Sequence, residues 1–169
     1  MHWADFAAKT LAQRGSKHII ASGITPSGEF HIGHLREILT GDMITRACKD
    51  AGLEAEFVFI VDTADPLRKV YPFLSEEYSK YIGCPLAKIP APDENGKPSN
   101  GERNYAEHFL DPFLKALEQI DVRPRIIDNY KSYESGKFAE KSRIACEKHN
   151  EIRDLSLIHI DAADDLRCV

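Results

Sequence analysis

The segment Glu56-Phe57-Val58-Phe59-Ile60-Val61, which is continuously apolar from Phe57 onwards, restricts the fold of this chain more than any other segment. A strand with apolar residues on both faces is typical of a parallel sheet that is covered on both sides. A shorter apolar run at Lys17–Ser22 predicts another strand, and apolar residues at steps of three and four from Leu35 to Cys48 predict a helix between the two. This order is a βαβ unit, for which we expect a right-handed crossover.

Further regular elements surround this unit. They are a helix at Asp5–Arg14, a helix at Ala106–Ile120, a strand at Arg125–Asp128 and mostly helical sequence over Tyr133–Arg153. Asn104 and Glu107 have the spacing of a capping box, whereas Pro112 predicts a kink or a restart of the helix at Asp111. The predicted fold is α/β: the first half of a doubly wound, Rossmann-like parallel sheet in an incomplete domain.

Residues 65–103 interrupt this regular pattern. They are rich in proline and include the polar stretch Asp93–Gly101, whose residues favour turns. We predict that this segment is an insertion with a flexible loop and takes no part in the core.

Composition narrows the class of protein. The net charge of −5 argues against a module that holds nucleic acid only through its phosphates, because such modules are usually basic. The four cysteines are far apart and form no Cys-x-x-Cys pair, so we expect no disulfide framework and a reducing, cytoplasmic environment. Neither a secretory signal nor an apolar run near the roughly 20 residues of a membrane span is found in the sequence, so we expect no membrane partner.

The segment Gly23–His34 connects the first strand to the following helix and carries two histidines. Helix N-terminal amides at such a connection point at anions, and the strand ends leave a crevice for a nucleotide. His31 and His34 can each donate an N–H to a phosphate oxygen, and Gly33 leaves room for an adenine or a ribose. Two histidines alone are more often structural, but the turn, the strand and the helix around them favour a function.

His31-Ile32-Gly33-His34 is identified as the HIGH signature of class I aminoacyl-tRNA synthetases. Longer stretches resemble one family within this superfamily, the class I lysyl-tRNA synthetases. They are Ala21–Gly28, Asp65–Leu74 and Tyr105–Phe109, together with His2–Asp5 at the start. The resemblance extends over about residues 2–154.

The resemblance implies that residues 1–154 are the N-terminal part of a catalytic domain that uses ATP and Mg²⁺ to form lysyl-adenylate and then esterifies tRNA(Lys). It implies that His31 and His34 are catalytic, and that Gly23 and Thr25 line a lysine pocket. The implied ATP-binding residues are Ser27, Gly28, His31, Gly33 and His34. The family's KMSKS lysines and its anticodon-binding domain have no counterpart in this sequence, so we expect the chain to be inactive alone.

Other positions support weaker expectations. Asp62 and Asp65 follow the second strand and face the same crevice, where a carboxylate can attract an ammonium or a ribose hydroxyl, although Asp65 can equally cap the turn before Pro66. Some family members bind zinc just before the Tyr-Ala-Glu-His stretch. Only His108 stands near that site here, so we predict no zinc.

Residues 155–169 lose the family pattern and resemble the translation of a synthetic sequencing adapter. We hypothesise that they are a non-native tail. A genuine strand and helix that continue the sheet is the alternative.

Two other functions remain open at this point. One is a small HIGH-superfamily adenylyltransferase that makes a coenzyme, although the helix before the motif and the proline-rich insertion argue against it. The other is a non-catalytic, synthetase-like domain that only binds a nucleotide or a partner. Pyrophosphate exchange with amino acids, phosphopantetheine or nicotinamide mononucleotide distinguishes the enzymes from one another.

Overall fold

The structure is a computed structural model that describes residues 2–157, with only the backbone of Ser156 and Leu157 included. Most of the hypothesised tail therefore lies outside the described residues. The chain divides into two compact units, with the boundary after Tyr130.

The first unit is built on a three-stranded parallel sheet. Its strands are β1 (Lys17–Ile24), β2 (Glu54–Val61) and β3 (Arg125–Asp128), in the spatial order β1-β2-β3. Its principal helices are α1 (Trp3–Ala12), α2 (Ile32–Asp50) and α3 (Tyr105–Gln119). Ile24 pairs with Val61, and Val61 with Asp128, so all three strands end at one edge of the sheet. This confirms the predicted α/β class and the half of a Rossmann-like sheet.

The core of the sheet lies on the face that α2 and α3 cover. Alternate residues of β2 point into it, as expected for a pleated strand. Its most buried members are Ile38, Phe59, Val61, Leu117 and Val122. Gly41 lets α2 approach closely, since a Cβ at this position would overlap the ring of Phe57. Alanines of α1 pack against Ala47 and Cys48 on the far side of α2.

The insertion contributes a second apolar cluster, so the prediction that it takes no part in the core is wrong. Two 3₁₀ helices, Glu76–Tyr81 and Leu86–Lys88, bring Leu67, Tyr78 and Leu86 into a cluster where each is at most 1% exposed. Isolated bridges, rather than strands, tie the segment together. The apolar residues have no helical or strand period, and this is why their burial is not visible in the sequence.

The polar stretch of the insertion forms a hydrogen-bonded turn rather than a loose loop. The carboxylate of Asp93 accepts hydrogen bonds from the backbone amides of Asn95 and Lys97, each at 2.8 Å. The Gly96 carbonyl accepts a further bond from the Ser75 amide, which joins the turn to the rest of the insertion.

Helix α3 confirms one expectation and corrects another. Asn104 and Glu107 form the capping box, since each side chain accepts a hydrogen bond from the other residue's backbone amide. Of the two effects predicted for Pro112, the restart at Asp111 does not occur, because α3 continues from Tyr105 through Pro112 to Gln119; the kink stays a prediction. Pro112 is exposed, while Phe109, Phe113 and Leu117 are buried and hold the helix in the core.

The helical sequence predicted over Tyr133–Arg153 is divided into short helices. They are α4 (Asn129–Glu134), which crosses the boundary between the units, α5 (Ala139–Glu147) and α6 (His149–Leu157). Gly136, with a φ of 73°, provides the left-handed conformation after α4. Across the part of the chain that the structure describes, no helix combines the length and the apolar character needed to cross a bilayer.

Candidate functional site

Two imidazoles cap the N-terminus of α2 and define the candidate site. His31 is the N-cap residue, and its Nδ1 accepts a 3.0 Å hydrogen bond from the Gly33 amide. Nδ1 of His34 accepts a 3.0 Å bond from the amide of His31. This is a capping box in which histidines replace the usual short polar residue and glutamate. The two rings lie 3.9 Å apart between centroids.

The capping bonds determine which nitrogens remain for a ligand. Because Nδ1 of each ring accepts a hydrogen bond from a backbone amide, the neutral tautomer of each ring carries its hydrogen on Nε2. Two Nε2–H groups are therefore available as donors beside the N-terminus of a helix, which itself favours an anion. Partial burial, and secondarily the neighbouring His31, lowers the pKa of His34 from its ordinary value, while Glu37 opposes the shift. The shift favours the neutral form of the His34 imidazole.

Gly33 has a packing role that the sequence did not suggest. A Cβ at Gly33 would lie 2.8 Å from Cε1 and 3.0 Å from Nδ1 of His31. The absent side chain thus leaves space for the imidazole of His31 itself, and not only for a ligand. Phe30 completes the arrangement, because its ring lies 5.1 Å from that of His34 and stacks on Phe113 at 4.2 Å.

A cavity of about 650 Å³ opens in front of the two histidines. The signature segment supplies one wall, the insertion a second and α3 a third. The lining residues are Thr25, Ser27, Gly28, Glu29, His31 and His34, then Tyr71, Phe73, Pro92, Asp93, Glu94 and Gly96, and finally His108 and Phe109. The insertion therefore forms part of the site as well as a core of its own.

The predicted site residues fall into two groups. Thr25, Ser27, Gly28, His31 and His34 lie together around the cavity. Gly23 and Gly33 are not among its lining residues. Gly23 stands in β1 next to Ile60, and Gly33 lies beneath His31 at the edge of a separate groove.

The two aspartates of the crevice have protein partners. Asp62 accepts a 3.3 Å hydrogen bond from the side chain of Asn129. Asp65 accepts from the hydroxyl of Thr25 at 3.3 Å and from Arg68 at 3.0 Å. Asp65 thus orients Thr25, which lines the cavity, while the carboxylate itself is not part of the wall.

The carboxylates in the wall were not identified from the sequence. Glu29, Asp93 and Glu94 line the cavity, and among the described residues neither lysine nor arginine lines it. Glu29 stands inside the signature segment and could have been considered from its position. Nothing in the sequence around Asp93 and Glu94 indicates that they belong to the site, because only the packing of the insertion brings them to the same cavity as His31. The cavity is therefore acidic and suits a cationic group.

Metal-ligating groups of three or more His, Cys, Asp or Glu side chains are not found in the described range 2–157. His108, the lone histidine near the family's zinc position, lines the cavity and contacts the ring of Phe109 edge-on. The expectation of no zinc remains a prediction.

Comparisons with known proteins agree on one relationship. The family model for class I tRNA synthetases (K) matches residues 1–161. Lysine–tRNA ligases from Methanosarcina barkeri and Archaeoglobus fulgidus are 44% and 47% identical to the chain over 152 residues, or 90% of its length. The lysine–tRNA ligase of Methanocaldococcus jannaschii is 43% identical over 92% of the chain. The chain spans only 27%, 30% and 28% of these three relatives, respectively.

Proposed function

The chain belongs to the class I tRNA synthetases, and from this premise we propose that it is the N-terminal, ATP-binding portion of a lysine–tRNA ligase. The complete enzyme would activate lysine with ATP and esterify tRNA(Lys) in the cytoplasm. The observation that supports this proposal most directly is the pair of imidazoles that cap α2 and leave both Nε2–H groups available at the cavity.

In the proposed activation step, a carboxylate oxygen of lysine attacks the α-phosphorus of ATP, and pyrophosphate leaves as the bond to the bridging oxygen breaks. The reaction needs no nucleophile from the protein. His31 and His34 would donate Nε2–H hydrogen bonds to phosphate oxygens, which holds the nucleotide in line and stabilises the charge that develops there.

The acidic wall of the cavity fits the ammonium groups of lysine. Glu29 lies in the same connection as Thr25, and Asp93 and Glu94 face them from the insertion. We propose that Thr25 and Glu29 contact lysine, and that Gly23 keeps the end of β1 clear of side chains. Mg²⁺ typically binds through one or two carboxylates together with substrate phosphates, so these oxygens also suit a metal that arrives with ATP.

MgATP binding to the chain tests the proposal. In NMR titrations, MgATP should shift the ring signals of His31 and His34, and His31→Asn should abolish this effect at His34 while the fold is retained. Unchanged ring signals at millimolar MgATP would count against the nucleotide site.

Catalysis is tested separately by lysine-dependent exchange of pyrophosphate into ATP. The described residues bring no lysine or arginine to the cavity, so we expect exchange at background level with the chain alone. Phosphopantetheine and nicotinamide mononucleotide should give none either. Robust exchange with one of these two would favour a coenzyme adenylyltransferase, and robust exchange with lysine would refute the inactivity of the isolated chain.

A further inference from the structure

Tyr105 is the first residue of α3, and its side chain is 0% exposed although it ends in a hydroxyl. That hydroxyl donates a 2.7 Å hydrogen bond to the carbonyl oxygen of Ser27, which stands 78 residues earlier in the chain. Ser27 belongs to the connection between β1 and α2 and lines the cavity beside His31. A buried phenol needs an acceptor, so the bond constrains the position of both residues.

The insertion contacts the same connection at the neighbouring residue. The ring of Phe73 lies against Gly28, where a Cβ would be only 3.3 Å from the ring. Phe109 links the two contacts, because its ring lies 4.9 Å from that of Tyr105 and 5.7 Å from that of Phe73. The Ser27–Gly28 turn is thus held by a hydrogen bond from α3 and by an aromatic ring from the insertion.

We propose that Tyr105 is a positioning residue for the nucleotide site. It acts through the Ser27 carbonyl, which sets the path of the turn and hence the place of the His31 imidazole at the N-terminus of α2. This inference rests on the proposed function, since the position of His31 matters for catalysis only if the cavity binds ATP. Tyr105 itself is not among the cavity-lining residues and is not a catalytic residue.

Tyr78 provides a matched control within the same apolar cluster. It is also 0% exposed, and its hydroxyl donates a 2.9 Å bond to the carbonyl oxygen of Pro90. Burial raises the pKa of both phenols, that of Tyr78 to about 12, so both hydroxyls are protonated donors. Pro90 does not line the cavity. Loss of either hydroxyl leaves a carbonyl without its donor, but only Tyr105 acts on the turn.

The experiment compares Tyr105→Phe with Tyr78→Phe in the full chain. We expect both substitutions to lower the free energy of unfolding to a similar extent. Only Tyr105→Phe should shift the backbone amide signals of Ser27, Gly28 and Gly33 in the ligand-free protein, and only it should weaken MgATP binding, by about fivefold or more. Replacement of Tyr105 by 4-aminophenylalanine, which retains a donor, should restore much of the affinity.

The two hypotheses fail in different ways. If the unmodified chain does not bind MgATP, the proposed function fails, while the ligand-free amide signals still report on Tyr105. If those signals are unchanged in Tyr105→Phe, or if Tyr78→Phe moves them equally, the positioning role is wrong. Should Tyr105→Phe not fold, the 4-aminophenylalanine variant decides: its weaker donor should displace the Ser27 carbonyl ¹³C signal and lower MgATP affinity together, and a displaced signal with full affinity contradicts the inference.

Discussion

In the proposed site, His31 would serve the helix and the ligand with different atoms of one ring. Nδ1 caps α2, which leaves Nε2 as the ring nitrogen for a ligand in the cavity that His31 lines, so a substitution can separate the two roles. Serine, aspartate or asparagine would cap the helix equally well, but none would place a donor as far from the backbone.

Substitutions of His31 should therefore separate stability from binding. His31→Ala removes the cap and should lower the free energy of unfolding by about 1 kcal/mol. His31→Asn preserves a cap and should leave stability nearly unchanged. Both should lose MgATP binding. Urea denaturation and ligand titration of the two variants provide the measurements, and full MgATP affinity in His31→Asn would show that the imidazole is not a ligand.

The lowered pKa of His34 makes stability depend on pH in a defined direction. Burial disfavours the charged ring in the folded state, so the unfolded chain binds a proton more readily. The free energy of unfolding should be constant above the ordinary pKa of 6.5 and should fall as the pH drops below it, until the folded-state pKa is passed.

His34→Gln is the control for this effect. Glutamine retains a side-chain acceptor at the third helical position, so the capping box can persist without a titrating group. Urea denaturation between pH 7.5 and 5 should show a smaller decrease for His34→Gln than for the unmodified chain. Equal decreases would assign the pH dependence to other groups.

The sequence predicts that the residues of the Gly23–His34 connection lie together. It does not predict which residues of the insertion line the same cavity. Thr25, Ser27 and His31 are close in the chain, so one strand-turn-helix connection determines their arrangement. Glu94 and Phe73 reach the same cavity only through the fold of the insertion, and no local pattern records that contact. The sequence also gives no sign that Gly33 makes room for His31.

At the scale of elements, the insertion lacks the regular periodicity of a helix or a strand. Individual turns hold it together instead. Gly96 has a φ of 72°, and a Cβ there would overlap the carbonyl of Phe73. Gly83 has a φ of 87° but no atom within 4 Å of such a Cβ. The two glycines have similar backbone conformations and differ in their surroundings.

Alanine substitutions at these glycines separate backbone strain from steric overlap. Gly83→Ala should cost about 1–2 kcal/mol of unfolding free energy, the penalty for a left-handed backbone. Gly96→Ala should cost clearly more and should also disturb Phe73 and the cavity. Thermal unfolding of both variants provides the comparison. Equal costs would mean that the Gly96 turn shifts away from Phe73 without resistance.

Pro112 is an unfavourable residue in an otherwise strong helix. It lacks the N–H that would donate to the carbonyl of His108, and its exposed position offers little packing in return. Pro112→Ala should raise the free energy of unfolding by about 1–3 kcal/mol. Lys115→Ala, on an exposed position of the same helix, should change it by less than about 0.5 kcal/mol. Destabilisation by Pro112→Ala would indicate that the ring has a packing role.

At the scale of the whole molecule, β1 is one of the two edge strands of the described sheet, and β3 is the other. In the described part of the chain β1 pairs only with β2, and Ile19 on this strand is 67% exposed. A strand edge with free backbone groups is a template for association with another chain. The short apolar run predicted β1 from the sequence, but its position at the edge follows only from the order of the sheet.

We expect the isolated chain to self-associate through β1 at high concentration. Ile19→Lys should reduce this association, because a charge on an edge strand opposes pairing. Phe6→Lys, at a position 68% exposed on α1, is the matched control and should leave it unchanged. Sedimentation velocity over a range of concentrations measures the effect. Similar behaviour of both variants would exclude the strand edge as the contact.

The bond between Tyr105 and Ser27 also has a consequence for synthesis of the protein. Ser27, in the connection that carries His31, is translated 78 residues before Tyr105, whose hydroxyl forms the hydrogen bond to it. At about 5–20 residues per second, translation separates the two events by about 4–16 s. During this interval β1, α2 and β2 can pair and pack, but the proposed nucleotide site lacks its hydrogen bond from α3. We therefore expect the nascent chain to form its framework first and the geometry of the proposed site only after the insertion and the start of α3 have been translated.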